Sequence, residues 1–342
     1  MPIQPRRSAR LSHWPIQVLL VALLALLAPV AARAQDATPT ADPVLANAAA
    51  WLQSQQAADG GFLGFSGTSD AGTTADAILA LAAARNAGAD VDLEKAADFL
   101  QENSLVYAQT GPGQAAKLVL AIVAAGGDPR NVERVNPLSI VEVSAKSPNG
   151  IIGFGPFDHA LGVLSMVATE TEVPSTAIEA FQKTQLDDGS WSFDGSTTAG
   201  SGDTNTTAIA IQALVAAGQG DDPMVGKAID YLKTTQTESG GFPYQPGQTP
   251  KGDANSTAVV IQAILAAGED PASADWKNAE AALMAFQNPS GAFRYTDDEP
   301  DDNLFATVQA IPALAGQPYP IAAVGAASDG GDGTDVATPE AA

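Results

Sequence analysis

Two kinds of apolar pattern alternate between Pro43 and Pro320. In residues 43–57, 91–102, 130–145, 174–185, 222–237 and 272–287, apolar side chains return at helical spacing with Lys, Asp and Glu between them. That periodicity predicts helices with one buried face. Residues 73–87, 114–126, 157–170, 205–217, 255–267 and 303–315 are instead small and apolar almost all round. A helix without a polar face belongs inside, walled by other helices. Alternating six times, the two kinds predict an all-α fold in which six helical hairpins build an outer and an inner ring. No segment shows the alternation expected of a strand.

The connections carry a repeat. A glutamine is followed by glycine four residues on and an aromatic ring six residues on, at Gln56-Gly60-Phe62, Gln185-Gly189-Trp191, Gln236-Gly240-Phe242 and Gln287-Gly291-Phe293. The last three copies step by 51 residues, so the unit is an internal repeat and fixes architecture first. Each glycine lets the chain leave an outer helix, and each ring fills the gap between neighbouring hairpins. The glutamine amide suits the free backbone groups of an adjoining helix end, so these residues read as structural staples. The second and third hairpins keep only Gly150 and Phe154. Inner helices close on Ala-Gly, as at Ala217-Gly218 and Ala267-Gly268, and Pro223 and Pro271 then open the next outer helices.

Gln185-Leu-Asp-Asp-Gly189-Ser-Trp191 resembles the QW repeat of squalene–hopene cyclases, and over residues 43–320 the chain is similar to the α/α-toroid superfamily. That superfamily also holds protein prenyltransferase β subunits and the α domains of transcobalamin and intrinsic factor. The resemblance implies an (α/α)6 toroid around a cavity. Its branches imply different chemistry. The cyclase acid signature, Asp-x-Asp-Asp-Thr-Ala, matches Asp203-Thr204-Asn205-Thr206-Thr207-Ala208 and again Asp253-Ala254-Asn255-Ser256-Thr257-Ala258, with Asn and a hydroxyl residue at the inner carboxylates. An amide is no general acid, and Asp, Asn or Thr ahead of an apolar helix is also what capping alone requires. The prenyltransferase branch implies zinc held by Asp, Cys and His. This chain has no Cys, and beyond its leader His159 is its one histidine, so no metal site is expected.

The last hairpin, Asn303 through Gln309, Pro312 and Gly316 to Tyr319, resembles the close of the transcobalamin-type toroids. That likeness implies a ligand rim at the inner-helix N-termini, which by motif match includes Asp203, Asn205, Asp253, Asn255, Asp301 and Asn303. Such a rim alternates acceptors and donors for a polar ligand, with cobalamin the first candidate. The neighbouring acids Asp297, Asp298, Glu299 and Asp302 read as a solvated helix cap.

Composition then bounds the setting. Arg6, Arg7 and Arg10, an apolar run from Val18 to Ala28, and Ala32-Arg33-Ala34 make residues 1–34 an expected signal peptide, followed by a linker at 35–42. The apolar run is too short for a span of roughly 20 residues, so no membrane span is expected after cleavage. Net charge is −23 and becomes more negative without the leader, which argues against nucleic acid as a partner. Residues 321–342, small and acidic, are expected to be a disordered tail. The expectation is a secreted, non-catalytic toroid that binds a small-molecule ligand or another exported protein. The alternative is a terpene cyclase or prenyltransferase-like enzyme acting on an isoprenoid.

Overall fold

A computed structural model describes residues 42–323, except Glu133 and Pro250. The expected leader, the linker up to residue 41, and residues 324–342 of the expected tail lie outside the described residues. Twelve α-helices alternate between two rings among the described residues. The outer helices are α1 (Pro43–Ser54), α3 (Glu94–Ala108), α5 (Pro137–Ala145), α7 (Ser175–Thr184), α9 (Pro223–Thr235) and α11 (Ala279–Met284). The inner helices are α2 (Ala71–Asn86), α4 (Pro112–Ala124), α6 (Pro156–Ala168), α8 (Thr204–Ala216), α10 (Ala254–Ala266) and α12 (Leu304–Leu314). Each inner helix packs on the next, and α12 packs on α2 to close the ring. The fold is an all-α toroid.

Side-chain size sets this layering. Ala208, Ala210 and Ala213 of α8, like Ala258 and Ala263 of α10, are fully buried where helices approach closely. Larger rings are kept for the gaps between hairpins: Phe62, Trp191, Phe242 and Phe293 have no exposed surface.

Several features depart from the sequence-based expectation. The outer helix expected over 91–102 runs from Glu94 to Ala108. The outer helix expected from residue 130 begins at Pro137, because residues before it form a turn with a Val132–Val135 bridge and Asn136 accepts from Ser139 N as the cap. The last outer helix is broken: Lys277 and Asn278 are left-handed, with φ of 43° and 54°, so a 3-10 turn at Ala274–Trp276 precedes a short α11. A strand pair also exists, β1 (Phe62–Leu63) against β2 (Ser69–Asp70), antiparallel, with Phe62 opposite Asp70. In the later repeats the same pairing shrinks to single bridges, Trp191–Asp203, Phe242–Asp253 and Phe293–Asn303. Ile321, assigned by its sequence to the tail, is buried.

The repeated glutamine reaches across hairpins. Gln185 Nε2 donates to Gly189 O at 2.9 Å and to Met224 O of α9 at 2.9 Å. Gln287 Nε2 does the same to Gly291 O (3.0 Å) and Val44 O of α1 (2.9 Å), which ties the last repeat to the first. Gly189 takes φ 91°, and an added Cβ would lie 2.3 Å from Lys227 O, so only glycine fits. The aromatic amide that follows donates to a threonine on the inner helix, as Trp191 N does to Thr207 Oγ1 at 3.1 Å and Phe242 N to Thr257 Oγ1 at 3.0 Å.

Candidate functional site

The inner helices share one register. Counting from the N-cap residues Asp70, Gly111, Gly155, Asp203, Asp253 and Asn303, the second position carries Gly72, Gly113, Phe157, Asn205, Asn255 and Phe305. The sixth position, one turn deeper, carries Asp76, Lys117, Leu161, Ile209, Val259 and Gln309. Residues four apart on a helix share a face. All six of the deeper layer, with Phe157, Asn205 and Asn255 above them, line a cavity of about 140 Å³ on the ring axis.

Leu79 and Tyr319 complete the wall. Tyr319 belongs to a strap after α12 that crosses the inner-helix C-termini. Its amide donates to Gln212 Oε1 (2.9 Å), Gln262 Nε2 donates to Gln317 O (3.0 Å), and Asn86 Nδ2 donates to Ala322 O (3.0 Å). The strap covers that end of the ring, so the cavity faces the inner-helix N-termini.

One side of the cavity is charged. Lys117 Nζ lies 2.9 Å from Asp76 Oδ1 and 3.0 Å from Oδ2, a two-pronged pair between α4 and α2. Burial alone would lower the Lys117 ammonium; the adjacent Asp76 charge and hydrogen bond outweigh it and hold the group well above its ordinary value. Burial raises the Tyr319 phenol, and the Asp76 charge adds to that. The apolar part of the wall is Leu79, Phe157, Leu161, Ile209 and Val259. Asn255 Oδ1 is buried there without a hydrogen-bond partner.

Of the six rim residues expected from the motif match, Asn205 and Asn255 reach the cavity. Asp203, Asp253 and Asn303 are N-caps instead. Their Oδ1 atoms accept from Thr206 N (2.7 Å), Ser256 N (2.8 Å) and Ala306 N (2.9 Å). Asp301 is exposed in the loop before α12. The alternating rim is therefore not assembled, because a cap and the residue two places on point about 200° apart around the helix. Burial pushes the Asp203 carboxyl up to about 6, against the Thr206 hydrogen bonding that acts the other way; burial also raises Asp253.

His159 is a packing residue. Its Nε2 pairs with Ala177 O at 2.8 Å and its Nδ1 accepts from Ile152 N at 3.2 Å, so the neutral ring links two hairpins. The sequence reading passed over Asp76 and Lys117, and named Gln309 only within the closing motif of the last hairpin. The available signal was register: where α8 and α10 carry Ile209 and Val259, α2, α4 and α12 carry polar groups inside otherwise apolar helices.

The description "Prenyltransferase alpha-alpha toroid domain" matches residues 19–118 and 219–316, and the chain belongs to that family. No curated protein matches it in sequence. Among solved structures it is similar to the type II terpene cyclase MstE from Scytonema, with a TM-score of 0.57 and 19% identity over 80% of this chain and 96% of that one. A single-residue variant of MstE in complex with its substrate, geranylgeranyl dihydroxybenzoate, gives 0.58 and 18% over 80% and 96%. A possible member of the GH105 family from Salmonella enterica gives 0.57 and 14% over 80% and 92%.

These findings correct the expectation of a non-catalytic, cobalamin-type binding module. One similar toroid is a cyclase solved with its substrate in place, and the polar rim behind the earlier expectation does not form. The expectation of no enzymatic activity falls with it. Identities below 20% establish the fold, and the chemistry has to be argued from this chain's own cavity.

Proposed function

We propose that this chain is an enzyme of the terpene cyclase type, acting on an isoprenoid in the axial cavity. The supporting observation is a largely apolar wall that carries one carboxyl group, Asp76, held in place by Lys117. Cyclisation of this kind adds a proton to one alkene carbon and loses a proton when the last ring closes. Asp76, the one carboxyl group in the lining, would give that proton in its acid form and take one back at the end, and the face of Phe157 would favour the cation between the two steps. Its carboxylate carries a role that the amides of Asn205 and Asn255 cannot take. Export forms part of the proposal, on the strength of the leader sequence: the secreted protein should begin at Gln35 when sequenced from its N-terminus.

The test is incubation of the purified protein with prenyl substrates of increasing length, followed by mass-resolved product analysis. Product should form, and Asp76→Asn should lower kcat by about a hundredfold or more with little change in KM, the mark of an interaction made in the transition state. Equal turnover in wild type and Asp76→Asn, or no product from any prenyl substrate, would sink the proposal.

A further inference from the structure

Large apolar side chains left exposed among the described residues gather at one end of the ring. Leu63, Phe65, Phe154 and Phe193 lie in outer-to-inner connections, and the other three sit in the last turns of α3, α5 and α11. All precede an inner helix, so they share the end toward which the cavity faces. On a chain of net charge −23 this is an unusual place to leave Phe65 93% and Phe154 72% exposed.

Two ring contacts join this surface to the cavity layers. Phe193, 49% exposed, meets the cavity residue Phe157 with centroids 5.7 Å apart. Phe65 stacks at 4.2 Å on Phe305, which stands in the register of Asn205 and Asn255. The aromatic surface therefore continues the apolar wall outward. Size makes the same point. A cavity of about 140 Å³ is close to the ~150 Å³ that accommodates one benzene, so a longer chain must project through the mouth.

We infer that this aromatic collar binds the projecting part of a long acyclic prenyl chain whose leading end occupies the axial cavity. The inference rests on the proposed action on isoprenoids and narrows their class to chains of about three units or more. Net negative charge disfavours an anionic lipid surface as the occupant.

Calorimetric titration of the full-length protein with prenyl alcohols of one, two and three isoprene units tests it. Kd should fall by about tenfold per added unit as apolar surface is covered. In Phe65→Ser/Phe193→Ser, affinity for the one-unit alcohol should stay within twofold while the gain on lengthening disappears. Both side chains are substantially exposed, and circular dichroism would verify an unchanged fold. A gain with length that survives in the variant overturns the collar. So does a wild-type dimer that the variant dissolves, since the patch would then be a self-association face. Because the readout is binding, the two ideas separate: collar-dependent affinity without product sinks only the catalytic proposal, and product with collar-independent affinity sinks only the collar.

Discussion

Taking an ammonium and a carboxylate out of water costs several kcal/mol per ion, offset only while the two face each other. Asp76 and Lys117 meet that condition on the ring axis. Asp76→Ala should therefore destabilise the protein by about 1–3 kcal/mol, because the part-buried Lys117 loses its charged hydrogen-bond partner. Asp76→Leu combined with Lys117→Met should unfold in denaturant near the wild-type midpoint and yet form no product. That outcome would mark the pair as kept for chemistry. His159 gives a second residue-scale test. Burial pushes its imidazole down to about 4 from an ordinary 6.5, against the Ala177 hydrogen bond. The folded state thus resists the proton, and the stability this group contributes is complete above 6.5 and lost as pH falls toward 4. The difference corresponds to roughly 3 kcal/mol. Asp203, raised to about 6, acts in the opposite sense, losing stability as pH rises through the same window. His159→Phe should remove the acid-side loss in thermal melts between pH 7 and 4, leaving the Asp203 slope visible.

Among elements, the connection between outer and inner helix carries the most information. One glutamine amide satisfies its own turn and the neighbouring hairpin, as Gln236 does for Gly240 O at 2.8 Å and for Trp276 O. Gln236→Ala should cost about 1–3 kcal/mol, since buried carbonyls lose their donor. Gly189→Ala should cost at least as much, from a left-handed backbone and from the Lys227 carbonyl 2.3 Å from the new methyl. Chemical denaturation of both variants measures this directly. These devices were legible in the sequence because each is local: a cap, a glycine, a ring at fixed spacing. The helix breaks at residues 130–136 and at Lys277-Asn278 also have local causes that composition does not announce. The cavity chemistry was not legible in the same way. Asp76, Lys117 and Tyr319 come from three separated segments and meet only when the ring closes. Asn205 drew attention through a motif, while its counterpart one turn deeper on α2 did not.

For the molecule as a whole, closure is the governing fact. Gln287 bonds to Val44 O as Gln185 bonds to Met224 O, and an added Cβ on Gly291 would sit 2.6 Å from Asn47 O just as Gly189 crowds Lys227. The joint between last and first hairpin is thus built like every other joint. Asp42 opens an outer helix at the same end of the ring where the strap reaches Asn86. The two ends of the described chain emerge on one face. Joined there by a short linker, and cut instead in the exposed turn at Gly220, the polypeptide should give a circular permutant with the same helical spectrum and a melting temperature within several degrees of the parent. In this architecture the starting point of the gene is an accident of where the circle was opened.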